Sequence, residues 1–164
     1  MHPRLLLGSV AACVFALDRV SKLLADALLE IGNPKVVIPY LLELSYCENH
    51  GIALGILSGN AIATLILPVI AMLAWFLVFR NYRLTSFIAV ASGLLLGGFV
   101  GNFWDRVLLG HVVDMLYFPF LPWFICNVAD IAICAGVVMM AASLLFRPQD
   151  WRERDADQSG SSPT

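Results

Sequence analysis

Four long stretches of the chain carry few polar side chains, and they alternate with segments where charge, proline and glycine collect. They run over residues 5–25, 61–79, 84–104 and 124–146. Each approaches the roughly 20 residues an α-helix needs to cross about 30 Å of hydrocarbon. Runs this continuous lack the alternation of a barrel strand, and lipid admits only helices or closed barrels. The pattern predicts an all-α integral membrane protein with four transmembrane helices. Between the first two spans, Leu42, Leu44 and Tyr46 alternate with Glu43 and Ser45, which predicts one or two short strands. Asn49-His50-Gly51 follows as a turn signal, and residues 52–57 are apolar enough to lie at the lipid surface.

Composition supports the class. Charged residues are 13% of the 164, about half the usual share of a soluble domain, so most of the chain does not meet water. The lysines and arginines set an orientation. Arg4, Arg80, Arg83, Arg147, Arg152 and Arg154 fall on one side of the predicted spans, against Lys35 and Arg106 on the other. By the positive-inside rule both termini are cytoplasmic. Residues 26–60 and 105–123 then form a small extracytoplasmic β-rich cap. Residues 1–148 make one four-helix domain, and 149–164, charged and then Ser/Gly-rich, form a disordered cytoplasmic tail. A net charge of −2 without a basic run argues against nucleic acid as a partner. The four cysteines and three histidines show no CxxC or HExxH spacing, so neither metal nor cofactor is expected.

Polar residues that spans normally exclude gather at four places: Asp18 to Lys22, Asn49 to Gly51, Asn102 to Asp114, and Asn127 to Asp130. Asp130 is the only charged residue between Asp114 and Arg147. A carboxylate at membrane depth costs about 2.5–3.5 kcal/mol on insertion scales, so it needs a partner, a wet pocket or a task. Asp18 and Lys22, four apart, share a helix face and can pair. Asn102 and Asn127 can donate amide hydrogen bonds to a carboxylate or a substrate backbone. Two carboxylates sharing a low-dielectric site cannot both ionise; one retains a proton while the other activates a water. That pairing would hydrolyse a peptide without serine, thiol or metal, and Asp114 with Asp130 is the candidate pair. Gly93, Gly97 and Gly101, at four-residue spacing, predict close approach of another helix.

The ordered motifs DRVSK (18–22), NHGIALG (49–55), GGFVGNFWDRVLLGHVVD (97–114) and NVADIAICAG (127–136) resemble the lipoprotein signal peptidase family, signal peptidase II. The resemblance implies an aspartic endopeptidase of the bacterial inner membrane. It would remove signal peptides from diacylglyceryl-modified prolipoproteins, cleaving just before the lipidated cysteine. It implies that the extracytoplasmic cap includes a lid segment over the site, with membrane lipids as surroundings and globomycin-type compounds as inhibitors. By motif match Asp114 and Asp130 are catalytic. Asp18, Lys22, Asn49, Gly51, Asn102, Asp105, Arg106, Asn127 and Ala129 bind substrate or support the acids. Leu54, Cys126 and Ile131 depart from the residues common in the family. A small proton-coupled transporter is the alternative, since intramembrane acids also relay protons.

Overall fold

The computed structural model describes residues 1–51 and 61–151. The lipid-surface segment expected at 52–57, with Leu54, lies outside the described residues. Four long helices carry the architecture: α1 (Pro3–Leu28), α2 (Ala61–Phe79), α3 (Ser86–Leu109) and α4 (Val128–Phe146). The remaining elements form one antiparallel sheet in the order β1 (Lys35–Ile38), β2 (Leu42–Asn49), β3 (Val112–Tyr117) and β4 (Ile125–Cys126).

Local chemistry explains the helix ends. Proline opens α1, where its missing N–H costs nothing, behind a His2 cap whose ring accepts from the Arg4 amide. Thr85 caps α3 by accepting from the Ile88 amide at 3.3 Å. Gly110, at φ 78°, closes α3 in the left-handed conformation that glycine adopts without penalty. Asn127 and Asp130 close a reciprocal capping box on α4.

Among the described residues, Ile62–Phe79, Ser86–Leu109 and Val128–Phe146 are long and apolar enough to cross a membrane. α1 is long enough, but Asp18, Arg19, Lys22 and Asp26 crowd its second half. Asp18 and Lys22 are buried and Arg19 is half-buried against them, whereas Asp26 is exposed along with Leu17, Val20, Leu23, Leu24 and Leu28.

Three boundaries differ from the sequence expectation. The third helix runs on from 104 to Leu109, because its polar end is buried and Gly110 supplies the stop. The fourth helix begins at Val128 instead of 124, because the capping box fixes its first turn and Ile125–Cys126 pairs with β3. Gln149 does not begin a disordered tail. Pro148–Trp151 forms a turn of 3-10 helix held by Asp150, which accepts from Ser143 Oγ (3.1 Å) and Arg147 Nε (2.6 Å). Residues 152–164 lie outside the described residues. The hydrophobic pattern does not announce β3, which falls in the connecting segment 105–123, or β4, which falls within the fourth predicted span.

The glycine stripe is the α1–α3 interface. A Cβ on Gly93 would come within 2.8 Å of Leu7 O, one on Gly97 within 2.7 Å of Ala11 O, and one on Gly101 within 2.6 Å of Asp18 Oδ2. On the other face of α3, a Cβ on Gly98 would come within 2.5 Å of Ala129 O. Missing side chains thus let α1 and α4 approach the α3 backbone, and that approach brings Asp18 to the start of α4. Gly97→Val should therefore lower stability by about 1–3 kcal/mol through overpacking. Gly8→Ala, which meets nothing within 4 Å, should not. Thermal unfolding in detergent measures both, and equal melting temperatures for Gly97→Val and the parent would refute the interface.

Candidate active site

The site is assembled where α1 and α3 end, α4 begins, and the sheet closes over them. Its base is a charge-balanced cluster. Lys22 Nζ reaches Asp18 Oδ2 at 2.9 Å, Asp105 Oδ2 at 2.8 Å and Asn102 Oδ1 at 2.9 Å. The Arg19 guanidinium adds Asp105 Oδ1 at 2.6 Å and Asp18 Oδ2 at 3.2 Å. Two cations thus neutralise two carboxylates whose side chains are entirely buried. Each acid also holds a neighbouring backbone: Asp18 Oδ1 accepts from the Ala129 amide at 3.1 Å, and Asp105 Oδ2 from the Val113 amide at 3.3 Å. The first bond fixes the first turn of α4 and the second fixes β3, the two segments that carry Asp130 and Asp114.

Above that base, two asparagines join the candidate pair. Asn127 Nδ2 donates to Asp114 Oδ1 at 2.6 Å, while its backbone N–H donates to Asp130 Oδ2 at 3.3 Å. Asn127 Oδ1 accepts from the Asp130 amide at 2.9 Å. Asn102 Nδ2 donates to Asp130 Oδ1 at 2.7 Å, and its Oδ1 accepts from Lys22 and, at 3.1 Å, from Asn127 Nδ2. Asn49 Nδ2 donates to Asp114 Oδ2 at 2.8 Å, and its own oxygen accepts from the Gly51 amide at 2.9 Å. Arg106 holds the Gly51 carbonyl at 2.9 Å and the Asn102 carbonyl at 3.2 Å. Both aspartates therefore hang from one residue, Asn127, although sixteen positions separate them in the chain.

Electrostatics separate Asp114 from an ordinary carboxyl. Burial, then the charge of Asp130, raises its pKa to about 7; hydrogen bonds from Asn49 and Asn127 and the Lys22 charge oppose the rise. Cys126, buried nearby, is pushed up to about 12 by burial and by both aspartates, so it stays a neutral thiol and is no nucleophile. Asp130, Asn102, Asn49 and Arg106 line one side of a cavity of about 270 Å³ whose other walls are apolar, with Pro68, Phe99, Phe124, Ile125 and Ile133 among them.

All eleven residues singled out in the sequence occupy this neighbourhood, in different capacities. Asp114, Asp130, Asn49, Asn102, Asn127 and Arg106 surround the polar centre. Asp18, Lys22 and Asp105 lie beneath it, Ala129 offers its amide to Asp18, and Gly51 offers its carbonyl to Arg106. The pairing of Asp18 with Lys22 is a buried bond, not an ion pair reaching toward the membrane surface. Of the departures from the family pattern, Cys126 is buried beside the aspartates and Ile131 is 49% exposed. Arg19 was missed. Its signal was available, because a second cation beside Lys22 within a span implies a second buried acid.

Residues 10–146 match the family described as Signal peptidase (SPase) II. A protein from Chlorobaculum tepidum named lipoprotein signal peptidase is 41% identical over 144 residues, covering 80% of this chain and 88% of its own. One of the same name from Enterococcus faecalis is 35% identical, covering 84% and 86%. A bacterial membrane enzyme solved by the in meso method at 1.9 Å resolution superposes with a TM-score of 0.73 at 34% identity, over 84% of this chain and 91% of that one. A second, at 2.3 Å resolution, gives 0.71 at 31% identity over 94% and 90%.

The cluster has a direct consequence for stability. Removing one partner of a buried ion pair leaves an uncompensated charge and costs about 3–5 kcal/mol. Lys22→Met should lose that much in a denaturation series in mixed micelles, whereas Lys35→Met, on the exposed β1, should lose little. Equal midpoints for the two variants would mean the cluster carries no such weight.

Proposed function

The chain belongs to the signal peptidase II family, a family of membrane aspartic peptidases that process lipoproteins, and on that premise we propose that it cleaves diacylglyceryl-modified prolipoproteins just before the lipidated cysteine. The single observation that carries this reading is the suspension of Asp114 and Asp130 from Asn127 at the polar end of an apolar cavity. A pair of carboxyls so placed titrates as a unit. One carboxyl of the pair retains the proton while the other is ionised. The ionised member takes a proton from the attacking water, while the protonated one donates to the scissile carbonyl oxygen and stabilises the tetrahedral intermediate. On collapse the carboxyl that took the water's proton passes it to the leaving amine, and a hydroxyl of the gem-diol returns its proton to the other carboxylate, so the one-proton dyad is restored without a covalent intermediate.

The surroundings suit this chemistry. Asn49 and Asn102 orient one carboxylate each, so neither acid rotates away from the water they share. Arg106, tied to the Gly51 carbonyl, holds the chain just past β2 beside the cavity that Arg106 itself lines. The apolar walls fit the hydrophobic part of a signal peptide, and a diacylglyceryl group remains in the surrounding lipid. The same cavity is where a globomycin-type peptide would compete. We take α1 as the fourth span, because Asp18 and Lys22 are buried and paired inside the bundle while most of its outer face is aliphatic. With both termini cytoplasmic, as the arginine distribution favours, the aspartates face the outer leaflet of the inner membrane.

Purified protein in detergent and a lipidated precursor peptide test the assignment. Asp114→Asn and Asp130→Asn should each lower kcat by at least about a hundredfold, the scale of general acid–base contributions, with binding of a globomycin-type inhibitor retained as a check on folding. Near-normal cleavage by either variant would sink the dyad. The pH profile provides a separate measurement. The active state holds one proton on the pair, so kcat/KM should fall about tenfold per unit as pH rises beyond about 7. A rate that stays level to pH 9 would show that this proton is not required.

A further inference from the structure

The face of the sheet turned away from the aspartates carries its own cluster. β2 and β3 pair Cys47 with Asp114, Glu48 with Val113, and Asn49 with Val112. One further step along that register sets His50 opposite His111, and their ring centroids are 5.3 Å apart. Side chains alternate across a strand, so Asn49 and Asp114 point to one face while Glu48, His50 and His111 share the other. His50 Nε2 lies 3.7 Å from Glu48 Oε2, and ligand atoms of all three residues lie within 4.8 Å of one another.

We propose that Glu48, His50 and His111 form a divalent-cation site with zinc as its ion. Two imidazoles and a carboxylate are a zinc donor set, whereas magnesium and calcium require mostly oxygen ligands. Zinc-to-ligand bonds of about 2.0–2.2 Å in a tetrahedron separate neighbouring donors by about 3.4 Å. The existing spacing closes to that value by side-chain rotation, which the exposure of Glu48 and His50 permits. Three protein ligands leave a fourth position for water. Glu48 and His111 also border a cavity of about 490 Å³ between α1, α3 and the sheet, which leaves room for it. The residues are separated in sequence and joined only by strand register, so no linear metal motif exists to announce them.

The ion would link the end of β2 to the start of β3, the two strands whose opposite faces bring Asn49 to Asp114. Zinc therefore acts as a clamp on the cap, outside the hydrogen bonds of the dyad. This inference does not depend on the proposed peptidase chemistry.

The test uses full-length protein in detergent, stripped with a chelator and titrated with zinc chloride against a chromophoric competitor. One equivalent should bind and raise the melting temperature. His50→Ala and His111→Ala should each weaken binding at least about tenfold, and His2→Ala, at the far end of α1, should not. Melting temperatures of the metal-free variants show that they fold. Cobalt substitution of the unaltered protein provides a reading independent of any variant, because a site of this ligand set gives visible ligand-field absorption. No zinc bound at micromolar concentration, zinc bound equally by the His50→Ala/His111→Ala double variant, or a colourless cobalt form would each overturn the proposal.

Discussion

A four-way ionic contact beneath the site supports everything above it. Lys22 and Arg19 on α1 lie between Asp18 of the same helix and Asp105 of α3, and both acids pass their remaining lone pairs to backbone amides of α4 and β3. Burying four charges at membrane depth is unfavourable unless every one is compensated. The compensation is complete only when all three helices and the sheet are in place. Assembly of the bundle and placement of the aspartates are therefore one event, since the bonds that neutralise the cluster also fix the segments bearing Asp130 and Asp114.

Small residues make that contact possible. Gly101 leaves the space that Asp18 occupies, and Gly98 lets the Ala129 carbonyl approach the α3 backbone. The carboxylate of Asp18 is thereby placed at the positive end of α4, where an anion is favoured. Asp130 sits in the same first turn and completes the capping box, so one residue both ends a helix and faces the cavity. A capping role keeps its side chain from wandering, and a fixed geometry is what a shared water requires.

The two faces of the β2–β3 ribbon divide labour through strand alternation alone. One face carries Asn49 hydrogen-bonded to Asp114; the other presents two histidines and a glutamate. Polar residues concentrate at this end of the bundle, consistent with a site that works at one membrane surface instead of passing protons through. Far from it, Trp75, Phe79, Tyr82 and Trp151 pack as an aromatic cluster and anchor the last described turn.

Much of this was legible in the chain. Uninterrupted apolar runs dictate helices, because lipid leaves the backbone no other partner, and four-spaced glycines dictate close contact. Acids and amides inside such runs mark chemistry by their cost, which singles out Asp114, Asp130, Asn102 and Asn127, whereas Gly51, Asp105 and Ala129 enter through resemblance to the family's ordered motifs. The strand around Leu42 to Asn49 showed in its alternation, and the Asn127–Asp130 spacing encoded a cap that would have placed the start of α4 correctly. What the sequence could not supply was partnership. Nothing local tells Asp18 that its partner amide is at Ala129, or Arg19 that it shares Asp105 with Lys22. β3 looked like a loop because a six-residue strand with mixed polarity is specified by the strands beside it. His50 and His111 become neighbours only through register. Periodicity and transfer cost act along the chain and can be read there; hydrogen bonds and ion pairs between distant segments depend on three-dimensional packing, which only the folded molecule decides.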